Sequence, residues 1–94
     1  MQDDETRPTM RFDKVAWHLR LAKTRSAAAA VAERGVVRVS GRRIEKAHCP
    51  VAVGDVLTVP QGSRVRVVRV LALPPRRLGA GALAGVIEEL ATAD

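Results

Sequence analysis

Lys23-Thr24-Arg25-Ser26 puts two cations and two hydroxyls side by side, directly ahead of four alanines. Thr24 is a natural N-cap for a helix running through Glu33, and the first turn of a helix offers unpaired amides and the positive end of its dipole. Lys23 and Arg25 would add charge to those amides, and the hydroxyls of Thr24 and Ser26 would add hydrogen bonds to phosphate or ribose. Together they make a phosphate site. Ordinary capping explains Thr24 but leaves Lys23 and Arg25 without a role. A second basic strip, Arg42, Arg43 and Lys46, lies beside a turn signal at Ser40-Gly41. A solvated strand face competes with a contact role there, most strongly for Arg43.

Other chemistries find little support. Ser26 and Ser63 have no evident His partner, the central acids do not pair at a recognisable spacing, and there is no Gly-rich phosphate loop. No enzyme activity is expected. Cys49 is the only cysteine, which excludes an internal disulfide and suits a reducing cytosol. His48 beside it invites a metal reading, but a metal site needs three or four convergent ligands and the only other histidine is His18. Neither metal nor cofactor is expected. Phe12 and Trp17 are the only aromatics, too few for a base-stacking platform. Recognition would rest on phosphates, 2′-hydroxyls and the shape of a folded nucleic acid.

The elements that must position these groups follow from apolar spacing. Phe12, Val15, Ala16 and Leu19 fall at i, i+3, i+4 and i+7, a buried helical stripe, with Asp13 in the first turn favourable to the dipole. Arg11, Lys14 and His18 fall on the opposite side, predicted to be positive and solvent-facing. The helix fades near Leu21-Ala22-Lys23, and the second helix ends at Gly35, a left-handed cap. Ala27 to Ala30 permit close helix packing or simply favour helix. Val36 to Val39 and Arg42 to Ile44 flank Ser40-Gly41 as a hairpin, and Gly54-Asp55 turns into a strand at Val56 to Val59. Arg64 to Leu71 forms another strand whose alternation slips at Val68-Arg69, predicting a bulge or a strand end. Pro74-Pro75 and Arg76-Arg77 read as a linker. Leu83, Val86, Ile87 and Leu90 then repeat the helical stripe, predicting a short C-terminal helix. The division expected is a disordered lead over 1–10, a binding domain over 11–72, and a linker with packed helix over 73–94.

Length and charge set the outer bounds. Ninety-four residues make one domain, and with one Phe, one Trp and no Tyr its core must be Val, Leu and Ala. The formal charge is +6, but six of the ten acids sit near the two ends. From Arg11 to Arg77 fifteen lysines and arginines face only Asp13, Glu33, Glu45 and Asp55. Such a field attracts polyanions, nucleic acid first, although charge alone is equally compatible with a basic surface that has no dedicated partner. Basic residues spread over helix, turn and strand argue against a membrane surface. No signal peptide or apolar span is visible, so a soluble, cytoplasmic protein is expected; a monomer is expected, with the oligomeric state left open by the residues.

In order, Arg11-Phe12-Asp13-Lys14, Lys23 to Ala28, Gly35 to Arg43 and Val53 to Leu57 resemble the S-four RNA-binding domain, named for small-subunit ribosomal protein four. The resemblance runs from Arg11 to Val59. It implies an α+β fold, two N-terminal helices packed on a small, mostly antiparallel sheet, and an RNA face lined by Arg11, Lys14, Lys23, Thr24, Arg25, Ser26, Arg42 and Lys46. The Lys-Thr-Arg-Ser corner and Leu73-Pro74-Pro75-Arg76-Arg77, followed by Glu88-Glu89-Leu90, resemble one subgroup, heat-shock protein fifteen. Ser40 stands where that subgroup usually has Asn. Membership would imply structured ribosomal RNA of the large subunit as partner and a role in recycling blocked subunits under stress. The alternatives are a generic binder of transfer or messenger RNA, and a protein-interaction module. The same domain is found attached to pseudouridine synthases and tyrosyl-transfer-RNA synthetases, but no residues here are left over for such a site.

Overall fold

The computed structural model describes residues 7–93. The chain runs β1 (Thr9–Arg11), α1 (Phe12–His18), α2 (Arg25–Glu33), β2 (Val37–Val39), β3 (Arg42–Ile44), β4 (Pro50–Ala52), β5 (Val56–Gln61), β6 (Arg64–Val70), a 3-10 turn (Ala80–Ala82) and β7 (Ile87–Ala93). Five strands form one antiparallel sheet in the order β3-β2-β5-β6-β7, and β1 pairs with β4 in a separate ribbon. The α+β architecture is the one the resemblance implies.

The α1 stripe behaves as its spacing dictates. Phe12, Val15, Ala16 and Leu19 are fully buried against Val37, Leu57, Val59, Val68 and Val70 of the sheet. Each large side chain in this set contributes roughly 1.5–3 kcal/mol by leaving water. Ala28 and Ala32, one turn apart on α2, are also fully buried, so the alanines serve close packing as well as propensity. Thr24 caps α2 as expected, its Oγ1 accepting from the Ala27 N–H at 3.0 Å. Gly35 follows the helix at φ 75°, its N–H donating to the Ala32 carbonyl at 3.0 Å.

The structure corrects several expectations. Thr9 and Met10 are not part of a disordered lead; they pair with Ala52 and Val51, and Met10 packs on the core. Residues 1–6 of that expected lead lie outside the described residues. His18 is not on a solvent face: it is 2% exposed, with Nδ1 3.0 Å from the Pro74 carbonyl oxygen. The C-terminal helix is absent, and Ile87–Ala93 is instead the edge strand β7. Leu83 to Leu90 is too short to sustain an isolated helix, and Gly85 at φ 87° interrupts it. The free edge of β6 supplies backbone partners, while Glu88 and Glu89 meet Arg69 and Arg66 across the pair. Leu83, Val86 and Ile87 still pack on the core.

The irregularity expected near Val68 is real but lies in the partner strand. Val67 opposes Ala91 and Val68 opposes Glu89, leaving Leu90 as the extra residue, while β6 pairs with β5 without interruption. Arg76-Arg77 is not a loose linker either. Arg77 Nε donates to the Trp17 carbonyl at 3.1 Å, its guanidinium lies 5.8 Å from the Trp17 ring centroid, and the Leu78 N–H donates to the His18 carbonyl at 3.0 Å. The last turn of α1 is thereby closed by the segment that joins β6 to β7.

Candidate RNA-binding surface

The two helix starts meet at Asp13. Its carboxylate, 4% exposed as a residue, accepts from Arg11 Nε at 2.7 Å and Nη2 at 3.0 Å, and Arg25 Nε lies 3.6 Å away. Burial pushes the Asp13 carboxyl up, but the Arg11 hydrogen bonds, the charges of Arg11 and Arg25 and the Lys14 amide outweigh it and hold the group below its ordinary value. One negative charge thus fixes two guanidiniums whose side chains are 46% and 45% exposed. The pair stays net positive and presents its outer edges to solvent.

The hairpin is built as its sequence requires. Ser40 at φ 51° and Gly41 at φ 85° occupy left-handed positions that a two-residue turn between twisted strands demands. Ser40 tolerates this with a tether: its Oγ donates to Asp55 Oδ1 at 2.9 Å and accepts from the Val56 N–H at 3.3 Å. Asp55 Oδ2 accepts from the Ala52 N–H at 2.8 Å. The hairpin is therefore clamped to the β4–β5 turn. Arg42 and Ile44 share one face of β3, while Arg43 alternates to the other, beside Arg38, and is paired with Glu45.

The loop after β3 joins these two places. The first two N–H groups of α1 donate to it, Phe12 to the Cys49 carbonyl at 2.8 Å and Asp13 to the Ala47 carbonyl at 3.0 Å. Those amides are spent on the fold. Between this loop and the hairpin lies a cavity of about 400 Å³ lined by Arg42, Lys46, His48, Cys49 and Asp55 among others. Burial pushes the Cys49 thiol up, which disfavours a thiolate there. Among the described residues no three His, Cys, Asp or Glu side chains gather to hold a metal.

Of the residues singled out from sequence, Arg11 and Arg25 converge on Asp13, and Arg42, Arg43 and Lys46 surround the cavity. Lys14 is partly buried in the first turn of α1, and Ser26 is exposed at the start of α2. Thr24 has its oxygen engaged as a cap. Lys23 is exposed but lines a different groove, with Ala27, Val31 and the β5–β6 turn at Gly62. From sequence Asp13 reads as a helix-dipole residue and a local counter-charge; the Arg-x-Asp spacing at Arg11 is the signal for its larger part. Asp55 reads from sequence as a turn residue inside the Val53 to Leu57 motif, with no sign of its bonds to Ser40 and Ala52.

The sequence model of the S4 domain matches residues 10–57, which holds both helices, the hairpin, the joining loop and the start of β5. The chain belongs to the S4 domain family. The S4 domain is an RNA-binding module. The heat shock protein 15 homolog of Haemophilus influenzae is 37% identical over 71 residues, 76% of this chain and 53% of that protein. The chain spans about half the length of this curated relative. The solved, trimeric Heat Shock Protein 15 of Vibrio cholerae is 31% identical, with a TM-score of 0.80 over 89% of this chain and 84% of that one. Sequence and fold both resemble the heat shock protein 15 subgroup. No helix among the described residues is long and apolar enough to cross a membrane.

Proposed function

We propose that this S4 domain is a non-catalytic, cytoplasmic binder of structured ribosomal RNA, acting on the large subunit as a stress-linked recycling factor. The observation that supports it most is the junction of α1 with the loop after β3, which sets the Arg11–Asp13–Arg25 cluster and the Arg42–Lys46 cavity on either side of one short connection. Folded RNA offers phosphates at such separated points, and cations held apart by a rigid frame read that spacing at low entropic cost. In this reading Arg11, Arg25 and Lys46 grip phosphates, Arg42 meets the RNA from the wall of the cavity, Lys14, Lys23 and Ser26 extend the contact along the helices, and Arg43 contributes only charge. Thr24 acts through the cap. The ribosomal part rests on the kinship with heat shock protein 15.

Gradient co-sedimentation with separated ribosomal subunits, at low and moderate salt and with transfer RNA as competitor, tests the reading. Salt-sensitive binding to the large subunit that survives the competitor is the expected result. Loss to transfer RNA would leave a generic structured-RNA binder, and salt-resistant binding would point to protein contacts. The Vibrio relative is trimeric and this chain is proposed to act as a monomer; light scattering of the free and RNA-bound protein decides that point.

A further inference from the structure

The cavity beside the hairpin is built for more than a phosphate. Arg42 lines it, and its guanidinium makes no hydrogen bond or ion pair among the described residues. Asp55 lines it too, its two oxygens each accepting one bond, from Ser40 Oγ and the Ala52 N–H, and each keeping a lone pair. Val39, Ile44 and Pro50 add apolar wall. A fixed carboxylate repels a phosphate, and an apolar wall does nothing for one. A nucleobase uses all three: its faces lie against the wall, acceptors on its edge meet the guanidinium, and donors on its edge meet the carboxylate.

Guanine fits this set best. Its O6 and N7 match the planar guanidinium fork, and its ring N–H and exocyclic amine lie on the neighbouring edge, where a carboxylate accepts them. Adenine would turn an amine donor toward the guanidinium. The pairing edge of the base is reachable only when the base is unpaired, as in a loop or bulge. The volume, about 400 Å³, lies toward the small end of cavities that enclose organic ligands. We propose that this cavity is a subsite for one unpaired guanine of the bound RNA, with Arg42 on its O6/N7 edge, Asp55 on its donor edge and Lys46 on the adjoining phosphate. This deepens the RNA-binding reading and rests on it.

Fluorescence anisotropy of the full chain with short RNA hairpins carrying a single bulged G, A, C or U, and with an unbulged stem, tests the assignment. The G bulge is expected to bind about tenfold more tightly than the A bulge, within the range of one good bidentate contact. Arg42→Lys keeps the charge, loses the fork and brings that ratio close to one; Arg38→Lys, on the opposite sheet face, leaves the ratio intact. Arg42 is exposed, so the variant folds, which a circular dichroism melt verifies. Equal binding of all four bulges and the plain stem, with ordinary salt dependence, overturns the guanine subsite while the RNA reading stands. No binding to any of these RNAs, in a folded protein, overturns both.

Discussion

The arginines of the helix corner and hairpin are held differently from those of the last two strands. At the corner Arg11 and Arg25 share a single buried carboxylate, and Arg42 has no partner among the described residues. On β6 each acid answers one cation: Arg66 pairs with Glu89 and Arg69 with Glu88, while Arg66 Nη1 also donates to Gln61 Oε1 at 3.2 Å. Arg20 and Arg77 spend their donors on the carbonyls of Leu78 and Trp17. Charge density along the chain does not distinguish the two regions; the ratio of cations to acids in contact does. A polyanion gains from the surplus and not from cations already neutralised.

The sharpest way to break this comparison is to remove equal charge from each side. Lys23→Ala with Arg25→Ala is expected to lower affinity for structured RNA roughly ten- to a hundredfold at low salt and to flatten the salt slope by about two. Arg66→Ala with Arg69→Ala removes the same two charges and is expected to leave the slope unchanged. Anisotropy titrations over a salt series read both. Equal losses would mean that net charge, and not arrangement, governs binding. Because Lys23 lines a groove apart from Arg25, single variants are expected to divide the loss unevenly, with Arg25 the larger share.

What sequence made legible here is what neighbours in the chain decide. The period of the α1 stripe, the Thr24 cap, Gly35 and the Ser40-Gly41 turn signal each lie within a short stretch of chain, and all are readable. His18 was misplaced because its partner, the Pro74 carbonyl, is 56 residues away. Leu83 to Leu90 satisfies a helical period, yet the deciding partner is the open edge of β6, which a period does not report. The site divides the same way. The cations were found by type and order, whereas the groups that aim them, Asp13 and Asp55, act through contacts made only on folding.

Asp13→Asn tests whether the shared carboxylate is structural. It removes a buried, charge-assisted acceptor between half-exposed arginines and is expected to cost about 1–2 kcal/mol, read by thermal or urea denaturation. With a folded-state value below the ordinary 3.8, the carboxyl contributes stability that is present above that pH and is lost as pH falls below it. The acid limb of the wild-type stability curve is expected to flatten in the variant. RNA affinity is expected to hold or rise, since the surplus of positive charge grows. A fall in affinity without unfolding would show that the two guanidiniums must be aimed and not merely present.

Ser40→Ala acts on the frame of the other cluster. The hydroxyl bonds to Asp55 and to the Val56 amide are exposed to water, so their loss is expected to cost about 0.5–1 kcal/mol in the same melts. The release of Asp55 should also weaken discrimination among bulged bases before it weakens overall affinity. A Ser40→Asn variant restores the left-handed preference of the turn but not the hydroxyl geometry, which separates turn propensity from tethering.

The smallest expected effect is at β7, and it bears most directly on the comparison. Glu88 and Glu89 are 50% and 40% exposed at their side chains, and surface pairs of this kind contribute under about 1 kcal/mol each. The Arg66 hydrogen bond, against a smaller cost of burial, holds the Glu89 carboxyl below its ordinary value, so its stabilisation is likewise lost on acidification. Glu88→Gln with Glu89→Gln should therefore lower the melting temperature slightly at neutral pH, with the difference from wild type vanishing in acid. The same variant frees Arg66 and Arg69. A steeper salt slope for RNA would show that neutralisation alone keeps the strand side out of the interface; an unchanged slope would show that position does, since the corner and hairpin would remain the points where phosphates can reach.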